Sequence, residues 1–410
     1  MRLARRTVEE PGAPAAASPP RGRAALLAET MLPPLLAFVA ANVLVWHAAS
    51  SAGYDFGDPR TWALWDGGQY LSQARQGLTL VPCKVPPYKP GQWCGNAGWF
   101  PFYPALVRGV SWTGLSLGWS GVVVAQTACL AMLAVVWRML GARLTATAVL
   151  CLALAAVFPG MVYDHAVFPI SLASLATLLC LHWLARGRWL AAGLAGAVAV
   201  ASYPVGVLLI GVVPVWMLVA ARHGGIVRWL GRTVLVTGLV AAGLVAVLAA
   251  ARWETGAWDA YLKVQAHYGN TGLHNPIDTY RWGIATKAAP LDGYGRPIPD
   301  HVDTKEAPRR QYEVVAGLVL LGLGAVVARR LFTRTPVAAL DWAVMLCVVA
   351  FWLGQLATGV RVHHYRGDAL LVPLVLLIRY LPRPVQVVLV AVCAVLAWHM
   401  VVLFCRAILV

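Results

Sequence analysis

Eleven stretches of this sequence are apolar enough to approach a bilayer crossing, several of them short for a full one, and this limits the fold more than any motif does. At 1.5 Å of rise per helical residue, a hydrocarbon core of about 30 Å needs roughly 20 apolar residues. Such runs fall at residues 31–49, 120–138, 145–163, 166–185, 189–203, 205–221, 232–251, 313–330, 337–357, 367–381 and 385–405. In lipid an open chain satisfies its backbone only as helix, so the expected class is an all-α polytopic membrane protein with about 11 transmembrane helices. Pro169, Pro204, Pro214 and Pro373 interrupt or open helices within this set.

A formal charge of +16 would suggest nucleic acid as a partner for a soluble protein. Here 60% of the residues are hydrophobic and only 12% charged, so the bilayer is the main solvent and no nucleic acid is expected. The arginines instead mark alternate loops: Arg138 and Arg143, then Arg186 and Arg188, then Arg222, Arg228 and Arg232, then Arg329, Arg330 and Arg334, and Arg379 with Arg383. By the positive-inside rule these loops are cytoplasmic, as is the basic N-terminal tail of residues 1–30, whose Ala, Pro and Ser content predicts disorder. Residues 31–410 then form one transmembrane domain with two larger extracytoplasmic loops, 50–119 and 252–312, in which acids and bases are mixed. Residues 99–119 are expected as an interfacial segment, because counting them as a span would turn the Arg138 loop outward. An Ala-rich, basic, multi-pass chain of this kind fits a bacterial plasma membrane.

Cys83 and Cys94 are the only cysteines in an outer loop. In an oxidising compartment they predict a disulfide, the alternative being two unpaired thiols. The same loop holds Trp65, Asp66, Gly67, Gly68, Gln69 and Tyr70 just after the first span. A carboxylate beside the membrane, flanked by glycines that allow close backbone approach, suits a base that must reach a hydroxyl near lipid. The bland alternative makes Asp66 a helix cap and the aromatics part of the interfacial belt. Arg361, His363, His364, Tyr365 and Arg366 occupy a short outer loop, where arginines run against the charge rule and call for an anion. Either Asp368 supplies it as an internal ion pair, or a phosphate does, since the Arg fork matches phosphate oxygens. The second outer loop, rich in aromatic and polar residues such as Trp258, Gln265 and His267, is expected to cover a cleft or to pack on the first loop.

The run Trp65-Asp66-x-Gly68-x-Tyr70-Leu71, followed by Trp99-Phe100-Pro101-Phe102-Tyr103-Pro104 and Arg108, resembles the PIG-V-like family of mannosyltransferases, which have the GT-C fold. Phe158-Pro159, Ser171-Leu172, Arg186-Gly187-Arg188-Trp189 and Pro204-Val205-Gly206 keep that family's order. The resemblance implies an enzyme with a polyprenyl-phosphate-linked sugar as donor and a glycolipid, glycan or protein as acceptor. It implies Asp66 as catalytic base. Arg361, His363, His364 and Arg366 would hold the donor phosphate, with Trp65, Gln69, Tyr70, Tyr103, Asp164, His165 and Tyr203 as substrate-binding candidates. Two departures stand out: Phe168-Pro169-Ile170-Ser171-Leu172 lacks the family's acid, and Tyr203-Pro204 replaces its Arg-Pro. Asp164 and His165, one turn earlier, are candidates to replace that acid.

No cofactor is called for by the sequence. Adjacent histidines point apart on regular backbone, and no metal-ligand cluster has a recognisable spacing; a divalent ion enters only because some GT-C enzymes use one. The rivals from other classes are a lipid or solute transporter and a noncatalytic partner of a transferase. A transporter should carry polar residues through the midplane and repeat symmetry between halves, whereas most spans here are Ala, Val and Leu throughout.

Overall fold

A computed structural model describes residues 23–84, 91–220, 225–268, 272–285, 287–292, 295–359 and 364–408. It is all-α apart from a two-stranded ribbon, Val81–Pro82 against Trp93–Cys94, and one isolated bridge. Among the described residues six helices are long and apolar enough to cross a bilayer: Glu29–Ser51, Leu117–Met139, Ile226–Thr255, Glu306–Thr333, Ala339–Thr358 and Arg383–Cys405. Their outward faces expose Leu35, Leu36, Val39, Val43, Val234, Val245, Leu320, Val388 and Val395, side chains that water would not tolerate in such a band. This is an integral, multi-pass membrane protein.

These six helices coincide with six of the eleven apolar runs. The other five are shorter or broken. The run at 145–163 yields only the Ala146–Ala156 helix, about 16 Å long, because Pro159 and Gly160 stop it. The runs at 166–185, 189–203 and 205–221 become Ile170–Ala185, Trp189–Ser202 and a short 3₁₀ turn, Pro204–Leu208, leading into Leu209–Ala220. The run at 367–381 is a 3₁₀ segment, Asp368–Leu374, with Pro373 inside it, followed by the single turn Val375–Ile378. Apolar composition made these look like full crossings, but it reports burial and lipid contact alike.

Burial shows what these pieces do. Every residue from Phe158 to Ser171 and from His364 to Ile378 is buried, so the two least regular stretches lie inside the bundle. Non-helical backbone at membrane depth is tolerated only where protein or a cavity surrounds it. Gly160 lets the two meet: its φ is +83°, and a Cβ there would run into the Tyr365 carbonyl oxygen. Around them the Ile226–Thr255 helix packs on Trp189–Ser202, which packs on Ile170–Ala185, which in turn meets Leu117–Met139. The first outer loop is tied down at Val167, whose N–H donates to the Trp62 carbonyl at 2.8 Å.

Candidate active site

The chain reaches Asp66 through a forced turn. Pro59–Trp62 is a single helical turn capped by Asp58, whose carboxylate accepts from the Arg60 N–H at 2.8 Å. Trp65 then adopts φ +52°, a left-handed conformation that costs a non-glycine residue on the order of 1–3 kcal/mol. That reversal makes Asp66 the first residue of the Asp66–Gln76 helix and puts Tyr70 one turn further along the same face. Tyr70 is buried edge-on against Tyr103 and Phe168, at ring separations of 5.7 and 5.8 Å. Burial raises the Tyr70 phenol above its usual range, and the Asp66 carboxylate adds to the shift, so Tyr70 stays a neutral donor.

From the other side, the Ala339–Thr358 helix ends at Gly359, and the described chain resumes with the turn His364–Gly367. Arg366 is 1% exposed, and its Nη1 pairs with Asp66 Oδ2, 300 residues away, on a carboxylate that is 13% exposed. The guanidinium also lies over the Phe168 ring, 5.7 Å from its centroid. Burial is the largest single influence and works against its charge, but the Asp66 carboxylate together with Tyr203, Tyr163 and Tyr70 exceeds it and holds Arg366 above its ordinary value. Among the described residues Nε and Nη2 have no hydrogen-bond partner. Asp368, the acid nearest in sequence, is committed elsewhere and accepts from Gln311 Nε2 at 2.8 Å. Gln355 fixes the turn from the opposite side by donating to the Gly367 carbonyl at 3.1 Å.

The pair opens on a cavity of about 530 Å³. Its polar end carries Asp66, Tyr70, Tyr203, Gln355, Thr358, His364 and Arg366; its wall is aliphatic, with Val205, Val207, Leu208, Leu244, Val247 and Leu248. Trp99, Phe100, Trp258, Tyr261, Leu262 and Gln265, from segments 50–119 and 252–312, roof it. The Ala260–His267 helix sits close because Gln265 Nε2 donates to the Gly98 carbonyl at 2.6 Å, where a glycine leaves room for Val264.

Burial pushes the His364 imidazole down to about 4, so it is neutral at physiological pH and meets a ligand through hydrogen bonding rather than charge. Its Nε2 has no partner among the described residues. A folded-state value below the unfolded one of about 6.5 means that acid favours unfolding. Thermal melts in detergent should therefore show wild type losing stability, relative to His364→Gln, as pH falls from about 6.5 toward 4, with a constant difference above 6.5. A difference that stays flat across this window would refute the neutral buried histidine.

The structure thus brings Asp66, Tyr70, Tyr203, His364 and Arg366 to one cavity. The remaining candidates among the described residues do not line it. Trp65 turns outward, and Gln69 is half-buried on another face of its helix. Tyr103 lies beneath Tyr70 with its hydroxyl donating to the Gly121 carbonyl at 2.8 Å. Asp164 and His165 share the turn Val162–His165, which directs Tyr163 toward Phe168 and carries these two to the Leu117–Met139 side. His165 meets Gln126 at 3.2 Å and stacks on Phe38. Neither therefore stands in for the missing acid at the cavity. Arg361 and His363 lie outside the described residues. Gln355 and Tyr261 line the cavity without having been singled out from sequence. Gln355 had a signal: a lone amide near the end of an otherwise apolar span.

Cys83 and Cys94 are joined by a disulfide. With His267 they form the one group of metal-ligand atoms gathered within 4.8 Å among the described residues, but both sulfurs are consumed by the bond.

No protein-family model matches the sequence, and no curated protein does. The mannosyltransferase resemblance stands on its motifs alone. Among solved structures the chain is similar to the oligosaccharyltransferase of Archaeoglobus fulgidus, crystallised tethered by a disulfide to an acceptor peptide containing an NVT sequon. The TM-score is 0.47 at 10% identity, covering 91% of this chain and 55% of that one. The chain therefore spans about half the length of the protein it matches.

Proposed function

We propose that this chain is a membrane glycosyltransferase of the GT-C type. In this reading it takes a polyprenyl-phosphate-linked sugar on the extracytoplasmic face of a plasma membrane, with the N-terminus inside. The observation that carries the reading is the buried Arg366 guanidinium, with two donors unused among the described residues, at one end of a cavity whose wall is aliphatic. An anionic head at Arg366 and an isoprenoid chain along Val205, Leu208, Leu244 and Val247 is the amphiphile that such a site accommodates.

In the reaction Asp66 takes the proton from an acceptor hydroxyl as that oxygen attacks the anomeric carbon. The bond from that carbon to the phosphate oxygen breaks, and its electron pair leaves on the lipid phosphate. Arg366 stabilises this growing charge, and His364 adds a neutral hydrogen bond. A single displacement inverts the anomeric centre. Mannose is the sugar the motifs point to, and Trp99, Trp258 and Tyr261 offer ring faces for a sugar at the roof of the cavity.

The test is purified full-length chain in sealed proteoliposomes with radiolabelled polyprenyl-phosphate mannose and a membrane extract as acceptor. Label moving into an acid-stable product with an inverted linkage supports the enzyme. Label crossing the bilayer unchanged would make the chain a transporter, and neither outcome would leave it a noncatalytic partner.

A further inference from the structure

The ion pair poses a chemical problem for any reaction that uses Asp66 as a base. A carboxylate oxygen that accepts from a buried guanidinium has a lone pair engaged in that contact and is the less able to take a proton. In the ligand-free arrangement Asp66 is thus a poor base, and Arg366 is partly neutralised as an anion site. Yet Arg366 is not saturated, because Nε and Nη2 have no partner among the described residues, and both belong to a buried group that gains from filling them. The surroundings offer little charge to fill them with. The Phe168 ring covers one face of the guanidinium, Asp368 is engaged by Gln311, and His364 is neutral.

From this geometry we infer that the Asp66–Arg366 pair is a resting lock, opened when the phosphate of a lipid-phosphate ligand takes Arg366 from Asp66. The inference rests on the function proposed above and adds an order to it: the phosphate binds first, and only then does Asp66 become a competent base. A phosphate presents several oxygens to the guanidinium fork, where Asp66 now engages one nitrogen, so the exchange replaces a single contact by a two-point one and occupies the unused donors. The aliphatic wall supplies the remaining selectivity. A phosphate without a lipid chain gains nothing from Val205, Leu244 and Val247. The displaced carboxylate sits at the first residue of its helix, on the strained turn at Trp65, where small backbone changes re-aim the side chain.

Carbodiimide labelling of the full chain in nanodiscs, read at Asp66 by peptide mass spectrometry, reports the opening, because the reagent attacks the protonated carboxyl. Loss of the guanidinium contact frees the Asp66 carboxylate to hold a proton and so to react. A short-chain prenyl monophosphate is expected to raise labelling at Asp66 by about tenfold or more, while inorganic phosphate at the same concentration leaves it unchanged. Arg366→Gln should label strongly without ligand and respond to none. Prenyl phosphate that binds, by equilibrium dialysis, without raising labelling overturns the lock, as does failure to bind. An equal response to inorganic phosphate overturns its lipid selectivity. Sugar transfer by a chain whose labelling does not respond would sink the lock while leaving the glycosyltransferase standing. Absence of both would remove the two together.

Discussion

Asp66→Asn should transfer sugar at no more than about one-hundredth of the wild-type rate, since a positioned general base contributes roughly 10²- to 10⁴-fold. The substitution is nearly isosteric and keeps an oxygen that can accept from Arg366 Nη1, so the fold has little reason to change. The comparison is decisive only if the variant melts near wild type and still binds a prenyl phosphate. Ground-state binding runs through Arg366 and the aliphatic wall, so KM for the donor should move far less than kcat. Undiminished turnover in a well-folded variant would remove Asp66 from the chemistry.

The second large effect is on stability as well as rate. Arg366→Gln leaves the Asp66 carboxylate facing Tyr70 and the cavity wall without its cation. Breaking a buried pair by removing one partner costs about 3–5 kcal/mol. Asp66 retains 13% exposure, which favours the lower part of that range. Transfer should fall by about 10²- to 10³-fold, because the leaving phosphate loses its main charge partner. The double variant Asp66→Asn with Arg366→Gln leaves no uncompensated charge and should recover most of the lost melting temperature, although it stays inactive. A double variant no more stable than Arg366→Gln alone would show that the pair does not hold the two segments together.

What the sequence made legible follows from what kinds of pattern it can carry. The long helices were visible because a crossing of lipid is a local composition rule, and Leu117–Met139 or Arg383–Cys405 obey it without interruption. Asp66 and Arg366 were each conspicuous as charges where charges are costly. Their pairing was not, because no spacing rule links residues 300 positions apart, and Asp368 offered a nearer but wrong anion. The broken segments Asp368–Ile378 and Phe158–Ser171 read as spans because burial inside protein and burial in lipid select the same side chains. Asp164 and His165 were misplaced for a smaller reason. Lying one turn before the Phe168–Leu172 motif does not fix a side chain's direction, and the Val162–His165 turn carries the pair to the Leu117–Met139 side, where His165 meets Gln126.

The hairpin closed by Cys83 and Cys94 leans on the Ala260–His267 helix, with Lys263 over the Trp93 ring, and that helix contributes Tyr261, Leu262 and Gln265 to the cavity roof. The roof is therefore finished by an oxidation, and in the proposed topology, with this loop outside, that covalent step is foreign to the reducing side of the membrane. Maturation of the cavity would in that topology be tied to delivery: a chain whose loop has not yet crossed would carry its charged residues but lack the clasp that steadies the lid above them.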